Sequence, residues 1–278
     1  MKIDSHQHFW IYNPSEYGWI DDRMQVLKRD YLPETLYKEL IGAGYEGTIA
    51  VQARQSVEET RWLLELASRY DYIRGVVGWV NLCDENRLKR ELDEFCTHNK
   101  LVGVRHVVHD EPDDEFMLRD DFLRGINLLK DYGLTYDLLL FPGHLAVAQK
   151  LVSMFPEQRF VLDHISKPLI KNKLISPWNE NISLLAGNRN VGCKLSGMVT
   201  EADRDNNDPE IFRPYLDVVF EAFGPGRLMI GSDWPVCRVS AEYADVMAIV
   251  EDYISDLPDT DKKKITGSNC ACYYGIKE

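Results

Sequence analysis

The sequence lacks long apolar runs, clustered basic residues and paired cysteines. No hydrophobic stretch approaches the roughly 18–20 residues a membrane-crossing helix needs, so a membrane partner is not expected. The opening MKIDSHQHFW has no apolar core of the secretory kind, and a cytoplasmic protein is the expectation. Lys and Arg number 32 against 45 Asp and Glu, a net charge of −13. That balance argues against a nucleic-acid partner, because phosphate binding needs concentrated cations. The densest basic run, Lys262-Lys263-Lys264, reads as a solvated helix face. Six cysteines (Cys83, Cys96, Cys193, Cys237, Cys270 and Cys272) show no zinc-ribbon or finger spacing, and Cys270-Ala-Cys272 has no second pair. Free, mostly buried thiols in a reducing compartment follow. There is also no internal repeat, no low-complexity segment and no Pro/Gly/Ser-rich linker, so a single domain over residues 1–278 is expected.

What is present is ordinary globular composition, 45% hydrophobic and 28% charged, arranged in a regular alternation. Short, β-branched, near-continuously apolar runs fall at Lys2–Asp4, Gly47–Gln52, Ile73–Asn81, Leu101–Val108, Thr135–Leu140, Phe160–Asp163, Val191–Leu195 and Arg227–Ile230. Helical patterns follow them at Pro33–Ala43, Val57–Tyr70, Asn86–His98, Leu123–Tyr132, Leu145–Phe155, Asn179–Ala186, Ile211–Phe223 and Ala241–Ser255. Strands without polar alternation belong to parallel sheets covered on both faces. Eight strand–helix units predict an α/β fold of the closed (β/α)8 TIM-barrel type. An open dinucleotide-binding sheet is disfavoured, because no G-x-G-x-x-G follows any strand. Two connections, Trp10–Leu32 and His109–Asp121, are longer than a barrel needs, and read either as lids or as packed loops.

Barrel enzymes place their chemistry at strand C-termini. There this chain carries His6 and His8, Gln52 and Arg54, Arg105 and His106, Asp137, Asp163 and His164, Lys194 and Asp233. His6 and His8 are two apart on a strand, so their rings share one face, as a metal site or a catalytic pair requires. Asp233, between Gly231-Ser232 and Trp234-Pro235, is a carboxylate with no packing reason to end a buried strand. Trp10, Trp79 and Trp234 offer faces for a sugar ring, or else belong to packed layers. Gln52, Arg54, Arg105, His109 and Lys194 are candidate donors to substrate hydroxyls; Lys194 alternatively forms a buried ion pair, and Arg105 a structural salt bridge. Glu111, Asp113 and Asp114 read as solubility charges.

His-x-His after the first strand, His after the sixth and Asp after the eighth resemble the amidohydrolase superfamily. The segments IDSHQHFW, GVRHVVHDEPDDEF, LDHISKP, KLSGM and GSDWP, with the tail ITGSNCACYYGI, resemble its lactonase branch, and the likeness runs through nearly the whole chain. That branch includes sugar-acid lactonases and a pyrone-dicarboxylate lactonase. The resemblance implies hydrolysis of a small-molecule aldonolactone, such as L-fuconolactone or L-rhamnonolactone. Asp233 would serve as general base, and His6, His8, His164 and Arg105 would stabilise the oxyanion.

The departures concern metal. Binuclear members bridge two ions with a carboxylated lysine on strand four and add a histidine on strand five. Here those strands carry Arg105, which stays protonated, and Tyr136-Asp137. The expectation is one divalent ion at most, zinc, through His6, His8 and either Asp233 or Asp137, with none strictly required. A mononuclear metal-dependent decarboxylase or hydratase is the alternative enzyme. A binding protein that had lost its chemistry would be expected to lose Asp233, His6 or His8, and all three are present. A homo-oligomer is left open.

Overall fold

The computed structural model describes residues 1–204, 206 and 208–277. Eight parallel strands follow one another around a barrel in the order of the sequence: β1 Ile3–Gln7, β2 Gly47–Val51, β3 Ile73–Gly78, β4 Leu101–Val107, β5 Thr135–Leu139, β6 Phe160–Leu162, β7 Val191–Leu195 and β8 Leu228–Ile230. Helices return the chain between them: α1 Pro33–Gly42, α2 Val57–Arg69, α3 Glu85–Phe95, α4 Asp120–Leu129, α5 Leu145–Met154, α6 Trp178–Ala186, the short α7 Met198–Glu201, α8 Arg213–Phe223 and α9 Tyr243–Tyr253. The expected TIM barrel is what the chain forms. No helix among the described residues is long and apolar enough to cross a membrane.

The helices start where side chains can satisfy their free N–H groups. Ser56 Oγ accepts the N–H of Glu59 to open α2, and Asp84 Oδ1 that of Arg87 to open α3. Pro33 opens α1, where no N–H is needed. Their apolar faces and the outer faces of the strands make one core layer. Within the floor of the barrel lies a second cluster: Ile3, Ile49, Val51, Val77, Val161 and Met229, closed from below by Cys270, Ala271 and Tyr274. The latter belong to the chain's last segment, α10 Asp259–Lys263, a π-helical turn Lys264–Ser268 and α11 Asn269–Tyr273. The Lys262–Lys264 run pairs with Asp259 and Asp261 on that segment's solvent side.

Two strand boundaries differ from the expectation by more than one residue. β1 continues to Gln7, so His6 lies inside the strand rather than beyond it. β3 stops at Gly78 because the Thr60 hydroxyl accepts the N–H of Trp79 and donates to its carbonyl, both at 2.8 Å, removing Trp79 from the ladder. The seam between β8 and β1 closes above the strands. Gln7 pairs in parallel with Trp234, His8 N–H donates to Trp234 O at 2.7 Å, and Asp233 N–H donates to His6 O at 2.8 Å. Asp4, fully buried, stitches the same seam by accepting Ser232 N–H (2.9 Å), Ser232 Oγ (2.6 Å) and Tyr243 OH (3.2 Å).

Candidate active site

Closure of that seam puts Asp233 beside the histidines of β1. Asp233 Oδ1 lies 3.3 Å from His8 Nε2, 3.8 Å from His6 Nε2 and 3.9 Å from His164 Nε2, and the two β1 imidazoles approach at 3.2 Å, Nε2 to Nε2. All four side chains are buried. Asp233 holds a left-handed backbone (φ 56°), a conformation Asp and Asn tolerate better than other residues with a Cβ. Burial pushes its carboxyl up, but the His164 and His8 imidazoles outweigh it and hold the group below the ordinary carboxylate range. Burial holds His6 and His164 well below the usual imidazole value.

His164 is placed by an unusual turn. His164, Ile165, Ser166 and Lys167 all take left-handed φ, at 54°, 46°, 61° and 48°. Each such residue costs about 1–2 kcal/mol, so the turn persists only because its surroundings hold it. Trp178 Nε1–H donates to Ile165 O at 2.8 Å, and Ser196 Oγ meets His164 Nδ1 at 2.9 Å. Gly197, itself at φ 64°, backs the ring so closely that a Cβ there would sit 2.6 Å from His164 Nδ1.

Below the mouth, inside the barrel, is a closed charge network. Lys194 Nζ reaches Asp137 Oδ2 (2.5 Å), Asp163 Oδ1 (2.9 Å) and His6 Nδ1 (3.1 Å). Arg105 reaches Asp163 Oδ2 (2.9 Å) and His6 Nε2 (3.3 Å) through one nitrogen, and donates to Gln52 O through the other at 2.5 Å. Two cations against two carboxylates make the network neutral. Burial works against ionised Asp163, yet Lys194, His6 and Arg105 together hold it well below the usual carboxylate range. Lys194 therefore sits in the buried ion pair that was the alternative to substrate binding.

The other candidates divide. His109 stacks on Phe141 (ring centroids 4.5 Å apart), its Nδ1 is buried without a hydrogen-bond partner, and burial with Lys167 and Arg105 nearby lowers its pKa to about 3. Gln52 buries both ends of its amide without a partner. Trp79, half-buried, donates from Nε1 to His106 Nδ1 at 3.3 Å. Arg54 is turned to the 10–32 connection, paired with Glu16 at 2.8 Å and lying over the Tyr17 ring. Trp10 and Trp234, considered above as stacking faces, are instead fully buried, Trp10 against Tyr17, Trp19 and Tyr31, and Trp234 against Phe9 and Tyr31. The 10–32 connection is thus anchored by an aromatic cluster. Glu111, read as a solubility charge, accepts His106 Nε2–H at 2.6 Å. Asp163, Asp4 and Ser196 stand at strand ends in the sequence without a role assigned there, and Lys167 has none either. Asp163 stood in the strand-end pair Asp163-His164, and that position was its available signal.

The donor set fits one divalent ion. Tetrahedral zinc with bonds near 2.0–2.2 Å separates its ligand atoms by about 3.3–3.6 Å, and His6 Nε2, His8 Nε2 and Asp233 Oδ1 are 3.2, 3.3 and 3.8 Å apart. The same three residues form a metal-compatible group among those described, as do His6, Asp163 and His164. Asp137, the other carboxylate considered, is engaged below by Lys194 and by the Tyr274 hydroxyl.

The chain belongs to the amidohydrolase family, whose model matches residues 3–276. It is 38% identical to an L-fucono-1,5-lactonase of Burkholderia multivorans, over 100% of this chain and 97% of that protein. It is 32% identical to an L-fucono-1,5-lactonase of Burkholderia ambifaria, over 99% and 96% of the two chains. A crystal structure of an amidohydrolase from Burkholderia multivorans with bound zinc superimposes with a TM-score of 0.96 at 38% identity, covering both chains completely.

Proposed function

We propose that this protein hydrolyses the lactone of a small sugar acid, of the L-fucono-1,5-lactone type. The observation that carries the reading is Asp233, a buried carboxylate whose Oδ1 faces three imidazole Nε2 atoms within 3.9 Å at a barrel mouth. The full-length likeness to two L-fucono-1,5-lactonases supports the substrate class.

The chemistry asked of the site is ester hydrolysis. Asp233 takes a proton from water as the oxygen attacks the lactone carbonyl carbon. His6, His8, His164 and Arg105 surround the negative charge that develops on the carbonyl oxygen. The ring C–O bond then breaks, and the proton returns to the ring oxygen from Asp233 or a histidine, giving the open hydroxy acid. A zinc ion held by His6, His8 and Asp233 would supply Lewis-acid polarisation and acidify the attacking water. Turnover is nevertheless expected without it. A lactone carbonyl is more electrophilic than an amide and its alkoxide leaves more readily, so less Lewis-acid help is needed.

The test is a side-by-side assay of L-fucono-1,5-lactone, L-rhamnonolactone, other aldonolactones and 2-pyrone-4,6-dicarboxylate, with proton release followed by indicator. An aldonolactone is expected to exceed the pyrone in kcat/KM by at least about tenfold, roughly 1.4 kcal/mol. Equal or reversed preference sinks the reading.

A further inference from the structure

We propose that Tyr274, at the end of the closing helix, is a positioning residue that sets His6 through Asp137 and Lys194. The Tyr274 hydroxyl donates to the Asp137 carboxylate, 2.9 Å from Oδ1 and 2.8 Å from Oδ2. Asp137 holds Lys194 Nζ, which in turn meets Asp163 Oδ1 and His6 Nδ1. The Tyr274 ring also lies 5.4 Å from the ammonium. A residue of the barrel floor is thereby joined to a residue of the mouth by three consecutive polar contacts, all buried.

The valences leave no slack. An ammonium has three N–H donors, and Lys194 has three acceptors around it, Asp137, Asp163 and His6. Among the described residues, Tyr274 and Lys194 are the side chains that donate to Asp137. Without the Tyr274 hydroxyl, the Asp137 carboxylate loses its other donor and is free to turn, carrying the ammonium it holds away from His6. The Nδ1 of His6 lies between two groups that make opposite demands on it, the Lys194 ammonium at 3.1 Å and the Asp163 Oδ1 carboxylate oxygen at 3.3 Å. Withdrawing the ammonium leaves Nδ1–H directed at Asp163, and so decides whether Nε2 presents a lone pair or a proton to Asp233 and His8. An apolar floor beside Ile3, Val77 and Met229 needs the ring of Tyr274 but not its hydroxyl.

The inference rests on His6 working in the proposed lactonase site, but its readout needs no activity, so the two fail separately. The experiment records the ring-nitrogen resonances of metal-free, full-length protein labelled at histidine, with His6 assigned by their loss in His6→Gln. Tyr274→Phe is expected to move the His6 resonances and to lower kcat about 5–20-fold with KM within about twofold. Tyr273→Phe, in the same helix but with its ring packed on Gly192 of β7, is expected to do neither. Unchanged His6 resonances in Tyr274→Phe overturn the proposal, whatever happens to rate or melting temperature. Should that variant not fold, Asp137→Asn reads the same link from its other side, again with a moved His6 expected and an unmoved one overturning it.

Discussion

His8 Nδ1 lies 2.8 Å from the carbonyl oxygen of Val51. A carbonyl can only accept, so Nδ1 carries a proton and Nε2 turns toward Asp233 Oδ1, 3.3 Å away. Two lone pairs facing each other at that distance repel unless a cation lies between them. A metal ion held between them meets the requirement. The strand neighbour of β1 thereby orients a ring whose free nitrogen suits both metal binding and catalysis, the usual arrangement for a ligating histidine.

One divalent ion per chain is therefore expected at saturation, with His8→Ala lowering its affinity by tenfold or more. Chelated wild-type protein is expected to keep most of its lactone hydrolysis. Elemental analysis showing two ions per chain, with activity abolished on their removal, contradicts both statements.

Glu59 predicts a pH dependence of stability. Its carboxylate accepts the N–H groups of Ala53 and Arg54 and the Tyr17 hydroxyl, tying the β2–α2 turn to the 10–32 connection. Burial outweighs these donors and raises its pKa from 4.5 to about 7. A folded pKa above the unfolded one means the fold prefers the protonated acid. The contribution is complete below pH 4.5 and is lost as pH rises through about 7, on the order of 3 kcal/mol in total. Relative to Glu59→Gln, the wild type should lose denaturant stability by about that amount over this window. A constant difference between the two proteins across it contradicts the assignment.

Gly197→Ala tests the left-handed turn. A methyl there meets strained backbone and the His164 ring together, so a loss of about 2 kcal/mol and a large drop in kcat are expected. Gly133, with φ 70° but open space around its Cβ position, provides the comparison. Gly133→Ala should lose about 1 kcal/mol and keep its kcat. If both variants keep full turnover, the close backing of His164 has no catalytic consequence.

Much of the fold was legible because barrel strands announce themselves as short apolar runs, and every such run became a strand. The misplaced ends have local causes. β1 was cut at Asp4 because Ser5, His6 and Gln7 are polar, yet all three are fully buried. The β1 histidines, His164 and Asp233 were visible as polar residues ending apolar runs. Their partners were less so, because the distances are long in sequence: Ser232 lies 228 residues from Asp4, and Tyr274 137 from Asp137. The His164–Lys167 turn contains no glycine, so its left-handed course is imposed by Trp178, Ser196 and Gly197 rather than by its own residues. Trp10 and Trp234 looked available for the same reason in reverse, since burial by the 10–32 connection is not written at either position.

Asp233 is the residue on which the function turns. Asn at this position keeps the shape, tolerates the left-handed backbone and can still accept a hydrogen bond, but it cannot take a proton from water. Removing a general base typically slows a reaction on the order of 10²–10⁴-fold, so Asp233→Asn should lower kcat by about that much. KM should move little, since the proton is transferred only in the transition state. The melting temperature should also hold: the backbone contacts of residue 233, its N–H to His6 O and its carbonyl to Cys237 N–H, do not involve the carboxylate. Metal-free protein is the proper setting, because the same carboxylate is a candidate ligand and loss of an ion would otherwise mimic loss of a base. If Asp233 served only to hold the imidazoles, the variant would melt earlier and keep its rate per folded molecule. A well-folded, metal-free Asp233→Asn enzyme that retains more than about a tenth of wild-type kcat removes this carboxylate as the base.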